Sequence, residues 1–123
     1  MSSQRLGKTR RLRRSGEFQE AFRAGIRMHG RFLTLVMAPA AAPAVRLGIV
    51  ASRKLGGAVT RNRAKRLIRE VFRRTAPPVS APGVDVVVMP RAGFLDASYE
   101  SLQADFHRTL TRGLSRIRGH AGR

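Results

Sequence analysis

A chain of 123 residues with 42% hydrophobic content fits a single domain, residues 1–123, and can bury roughly two-thirds of its unfolded surface, which excludes wholesale disorder. It has no cysteine, so disulfides, thiolate zinc sites and cysteine nucleophiles are excluded, and no apolar run reaches the roughly 18–20 residues that span a bilayer. With 25 Lys+Arg against 7 Asp+Glu the net charge is +18, a self-repulsion that an anionic partner would offset, nucleic acid being the first candidate and a membrane surface the second.

Residues 1–14 carry Arg5, Lys8, Arg10, Arg11, Arg13 and Arg14 without an acid and read as a flexible basic arm. They have no apolar h-region, so no secretory signal is expected, and they match a transit peptide only weakly. Ser15 is a candidate N-cap for a short helix whose Phe18, Ala21 and Phe22 share one face. Gly25 is expected to close that helix in a left-handed turn. Residues 31–38 and 45–51 read as two strands, and the short Pro-containing link between them suggests an antiparallel hairpin.

A glycine-containing basic loop, Ser52 to Thr60, comes next. Thr60 is the expected N-cap of a helix over 61–75. Ala64, Leu67, Ile68, Val71 and Phe72 form its apolar stripe, and Pro77 and Pro78 stop it. Residues 84–89 are a valine-rich strand, expected to be buried on both faces and ended by Pro90. Ser98 or Asp96 caps a last helix with a stripe of Tyr99, Leu102, Phe106, Leu110 and Ile117, and residues 118–123 are an expected frayed tail. The order α-β-β-α-β-α implies an α+β fold, a small mixed sheet packed by helices. Strand 45–51, helix 61–75 and strand 84–89 form a βαβ crossover, which makes those two strands parallel.

The bases are clustered. Residues 1–14, 53–74 and 108–123 hold six, nine and five of them, and only Glu70 among those segments is acidic. On the helix 61–75, an advance of about 100° per residue puts Asn62, Arg66, Arg69 and Arg73 opposite Ala64, with Arg63 and Lys65 at the boundary. Arg61 and Arg63 in the first turn would oppose the helix dipole by about 0.3–1 kcal/mol each. Acids for stabilising i,i+4 pairs are almost absent. A solvated face selected for helix stability would not look like this, so phosphate contact is the expected role of these arginines. The glycine loop lacks the G-x-x-x-x-G-K-[ST] spacing, which excludes an NTPase loop.

Catalytic chemistry is weak by comparison. His29, His107 and His120 match no metal spacing, and His107 reads as a half-buried structural residue. Asp85, Asp96, Glu100 and Asp105 form no evident pair, and the serines have no nucleophile-elbow context. No catalytic residue and no protein-only metal site are expected. Phe32 reads as core. Phe18 and Phe22 read either as core or as a platform for unpaired bases beside a basic groove.

The segment LGIVASRKLGGAVTRNRAKRLIREVF, from Leu47 to Phe72, resembles the bacterial ribonuclease P protein family. The family's Arg-Asn-Arg motif is Arg61-Asn62-Arg63, followed by Lys65, Arg66 and Arg69. The resemblance extends to Phe18 and Phe22 in GEFQEAFRAG, to GVDVVVMPRAG and to the last helix. It implies a protein subunit of a cytoplasmic, one-to-one ribonucleoprotein endoribonuclease. There a catalytic RNA, with magnesium, removes the 5′ leader of precursor tRNA, and the protein supplies no catalytic residue. By the same resemblance the βαβ crossover is left-handed. Arg53, Lys54, Arg61, Asn62, Arg63 and Arg66 would face the catalytic RNA, and Phe18, Phe22, Val36, Lys65 and Arg69 would line a cleft for the single-stranded leader. Val36 stands where some members have an aromatic, so no stacking is expected at that point. The alternative is a ribosomal-type structural RNA-binding protein.

Overall fold

The computed structural model describes residues 15–40, 45–75 and 83–121. The expected basic arm 1–14 lies outside these residues. The elements are α1 (Ser15–Ala24), β1 (Ile26–His29), β2 (Leu33–Pro39), β3 (Val45–Ile49), α2 (Ala58–Thr75), β4 (Val84–Pro90) and α3 (Tyr99–Ala121). Short 3-10 turns at Arg53–Leu55 and Phe94–Asp96 precede α2 and α3.

The sheet is mixed, four strands in the order β1-β2-β4-β3. β2 runs antiparallel to β4, from Leu33 opposite Pro90 to Pro39 opposite Val84. β3 runs parallel to β4, from Val45 opposite Val84 to Ile49 opposite Val88. The expected β2–β3 hairpin is therefore wrong, because β4 is inserted between the two strands. The physical reason lies in β4 itself. Its residues Val84 to Val88 are all buried, so it needs a strand on each side and a layer on each face. β3, with Gly48 and the charged Arg46, tolerates an edge. Two strands separated by a third are only about 9.5 Å apart, a gap that a five-residue link spans easily.

β1 was not legible in the sequence. It is four residues long and pairs Ile26 with Met37 and Met28 with Leu35. Gly25 turns the chain directly from α1 into β1, but not in the left-handed conformation, since Gly56 and Gly93 are the described glycines with positive φ. Its role is close approach: a Cβ there would fall 2.9 Å from both the Met37 carbonyl oxygen and Val36 Cγ1.

β2 starts at Leu33 rather than at Arg31. The Asp105 carboxylate, 1% exposed on α3, accepts the backbone N–H groups of Arg31 (2.9 Å) and Phe32 (2.8 Å) and keeps both out of the ladder. Phe32 is partly buried against the main core.

Each sheet face carries its own apolar layer. On one, Leu33, Leu35 and Met37 of β2 and Val84, Val86 and Val88 of β4 pack under α2 and α3. Phe72 and Phe106 meet edge-to-face there, ring centroids 6.2 Å apart. On the other, Val36, Ala38 and Val87 pack against Ala21 of α1, with Phe18, Phe22 and Met89 half-buried around them. Ser98 caps α3, its hydroxyl oxygen accepting the Ser101 N–H at 3.1 Å, whereas Asp96 belongs to the preceding 3-10 turn. The α3 stripe includes Leu114, and the helix continues to Ala121, past the expected fraying point at Arg118.

Candidate nucleic-acid interface

α2 begins at Ala58, two residues before the expected cap, so Thr60 lies inside the first turn and Arg61 and Arg63 lie beyond it. The Arg61 N–H already donates to the Gly57 carbonyl oxygen at 2.9 Å. The helix dipole therefore opposes these arginines less than expected, since its effect falls off within the first turn. The scarcity of acids stands, with none in that turn. The reason for the early start is the tight approach loop. Gly56 has φ +146°, and a Cβ there would fall 2.9 Å from the Thr60 side chain. The loop brings exposed Arg53 and Lys54 beside the helix N-terminus.

The inward face of α2 is Ala64, Ile68, Val71 and Phe72. Asn62, Arg63, Arg66 and Arg69 are exposed, whereas Arg61 and Lys65 are half-buried. Compensation is confined to the C-terminal half of the helix, where Glu70 pairs with Arg73 and, at 2.8 Å, with Arg74. The Arg73 hydrogen bond, with Arg74 beside it, lowers the Glu70 pKa below its ordinary value. The stability this pairing contributes is therefore present at neutral pH and is lost as the pH falls through the lowered pKa. Arg53, Lys54, Asn62, Arg63 and Arg66 are thus exposed on the loop and the first half of α2, with Arg61 half-buried beside them.

The second candidate surface is α1. Phe18 and Phe22 flank Ala21, with Val36 beneath at 1% exposure, and the Arg27 guanidinium carbon lies 5.8 Å from the Phe22 ring centroid. Phe18, Phe22 and Val36 are therefore brought together, Val36 as a floor closed to ligand. Lys65 and Arg69 are not brought to them: α2 packs on the opposite sheet face, beside the edge strand β3.

One feature that sequence reading missed holds α1 in place. Arg46 of β3 is bidentate to Asp85 of β4, Nε to Oδ1 at 2.8 Å and Nη2 to Oδ2 at 2.9 Å, and its Nη1 donates to Glu17 of α1 at 3.1 Å. The hydrogen bonds that Arg46 donates to Asp85 raise the Arg46 pKa above its ordinary value despite the opposing effect of burial. The available signal was Asp85 itself, since an acid inside a doubly buried valine strand requires a cation. Replacing Arg46 with Met strands the Asp85 carboxylate and is expected to cost roughly 3 kcal/mol in urea unfolding. Arg46→Met combined with Asp85→Leu should recover most of that loss.

The other polar residues have local roles. His107 is exposed, not half-buried as expected, because α3 turns Leu102, Phe106 and Leu110 inward and leaves His107 outside that stripe. His29 is exposed, with Nδ1 3.2 Å from Thr34 Oγ1. The His120 side chain lies outside the described residues. Among the described residues, no three His, Asp or Glu side chains converge as a metal site.

A protein-family model described as Ribonuclease P matches residues 6–113. The chain belongs to the ribonuclease P protein family. The "Ribonuclease P protein component" of Herpetosiphon aurantiacus is 40% identical over 105 residues, 85% of each chain. That of Desulfotalea psychrophila is 41% identical, with 84% of this chain and 85% of the relative aligned. Among solved structures, the Thermotoga maritima RNase P protein matches with a TM-score of 0.73 and 31% identity over 83% of this chain and 96% of that one. The Staphylococcus aureus RNase P protein matches with a TM-score of 0.73 and 28% identity over 85% and 94%. These two RNase P proteins thus share this fold, a small mixed four-stranded sheet packed by three helices.

Proposed function

We propose that this chain is the RNA-binding protein subunit of a cytoplasmic, one-to-one ribonuclease P, in which the RNA partner cleaves the 5′ leader from precursor tRNA. The observation that carries the reading is the arginine face of α2, exposed and almost without acids in a member of this family. Arg53, Lys54, Arg61, Asn62, Arg63 and Arg66 contact the catalytic RNA, mostly at phosphates. Phe18 and Phe22, over the Val36 floor, offer ring surface to unpaired leader bases. Lys65 and Arg69 contribute charge from the far side of β3, along the leader's path rather than within the aromatic cluster. Magnesium, in this reading, is held by the RNA and its phosphates; the described carboxylates Asp85 and Asp105 are engaged with Arg46 and with backbone N–H groups.

Competition binding in salt tests the reading. The protein is expected to prefer a bacterial ribonuclease P RNA over ribosomal RNA fragments. Equal affinity for both, together with co-sedimentation with ribosomal subunits at high salt, would favour a ribosomal-type protein instead.

A further inference from the structure

A second row of arginines lies away from α2. Arg108, Arg112 and Arg116 recur every four residues on α3, a rise of about 6 Å each, and all three are exposed. They run alongside β1, at the opposite edge of the sheet from β3. Arg112 Nη2 donates to the His29 carbonyl oxygen at 3.0 Å, and Arg116 Nη1 lies 3.7 Å from Met28 Sδ. Arg108 Nη2 donates to Asp105 Oδ1 at 3.2 Å. Exposed Arg31 continues the row, its guanidinium carbon 5.2 Å from the Phe32 ring centroid.

These contacts orient the guanidinium groups, and among the described residues only Arg108 of the four is paired with a carboxylate, that of Asp105. Each has five N–H donors, and the bonds described use one at most. Asp105 is the one acid the row touches, and it is buried and already accepts two backbone N–H groups. Covering an edge strand would account for Arg112 alone. It does not account for four cations in line that share a single buried acid, Asp105. Arginines held in place with free donor edges suit phosphate oxygens, which they can engage in bidentate fashion.

We infer that Arg31, Arg108, Arg112 and Arg116 form a second, sequence-independent contact surface for an RNA backbone, separate from the α2 face. The inference rests on the RNA-binding reading above and adds a second site to it. A protein with basic faces at both sheet edges holds two RNA segments at once, either two parts of the catalytic RNA or the catalytic RNA and its substrate.

The test uses the full chain with Arg31→Gln, Arg112→Gln and Arg116→Gln combined. Arg108 is kept because it packs on Asp105. Salt dependence is measured for binding to the catalytic RNA, and separately for precursor tRNA binding to the assembled ribonucleoprotein. Each lost phosphate contact lowers the slope of log K against log salt by about 0.7–0.9, so a fall of about two is expected for one of the two RNAs. The RNA affected identifies the source. The matching triple Lys variant should keep the slope, since it keeps the charge. Unchanged slopes for both RNAs would overturn the inference, and a lowered melting temperature with unchanged slopes would reduce the row to an edge guard. Arg61, Arg63 and Arg66 variants separate the two levels. If they lower the slope and the α3 variants do not, only this inference fails; if neither set does, the RNA-binding reading fails with it.

Discussion

Replacing Phe18 and Phe22 with Ala is expected to cut the preference of the ribonucleoprotein for precursor over mature tRNA about tenfold or more. Stacking of one base on an aromatic ring is worth about 1–3 kcal/mol, and two half-buried rings are available on α1. Mature tRNA has no leader, so its binding should not change. The two rings also pack against Ala21, Val36, Ala38 and Val87, so the Ala variant loses stability as well. Phe18→Leu with Phe22→Leu separates the effects, because leucine keeps much of the apolar contact and offers no ring face. The Leu variant should fold normally and still lose the preference. Equal loss of affinity for both tRNAs would remove the leader from α1 and leave the phenylalanines as packing.

Removing charge from the first half of α2 is expected to have the other large effect. Arg61→Gln, Arg63→Gln and Arg66→Gln together should weaken binding to the catalytic RNA and lower its salt slope by about two to three. The fold should tolerate the change. None of the three side chains belongs to the core cluster, and no acid is described as their partner. Filter binding between low and moderate salt measures both quantities. An unchanged slope would place these arginines outside the interface.

The α2 face was legible because helical periodicity is strong evidence over 18 residues: Ala64, Ile68, Val71 and Phe72 are buried and Asn62, Arg66 and Arg69 exposed as the sequence put them, whereas Leu67 and Arg73 are half-buried. The same holds for α3, and for β4, whose valine run required burial on both faces. What failed was pairing. Alternation and turn signals locate a strand but do not name its neighbour, so β2 and β3 looked like a hairpin until β4 claimed the position between them. β1 was lost because four residues, two of them charged or polar, are too few to establish a period. The boundary at Ala58 escaped because Gly56 and Gly57 let the helix start without a side-chain cap. Within the site, residue types were readable and relative placement was not. Phe18, Phe22 and Val36 converge, whereas Lys65 and Arg69 sit across the sheet. Arg46, which ties α1 to β3 and β4, has no periodic signature, and only the buried Asp85 called for it.

In the proposed ribonucleoprotein the protein binds and the RNA cleaves. Reconstitution with a bacterial ribonuclease P RNA at low magnesium, where the RNA alone is slow, tests this most directly, with release of the 5′ leader from precursor tRNA as the readout. Cleavage that requires both the RNA and this protein is the predicted result. No stimulation despite tight RNA binding, or cleavage by the protein without RNA, would contradict it.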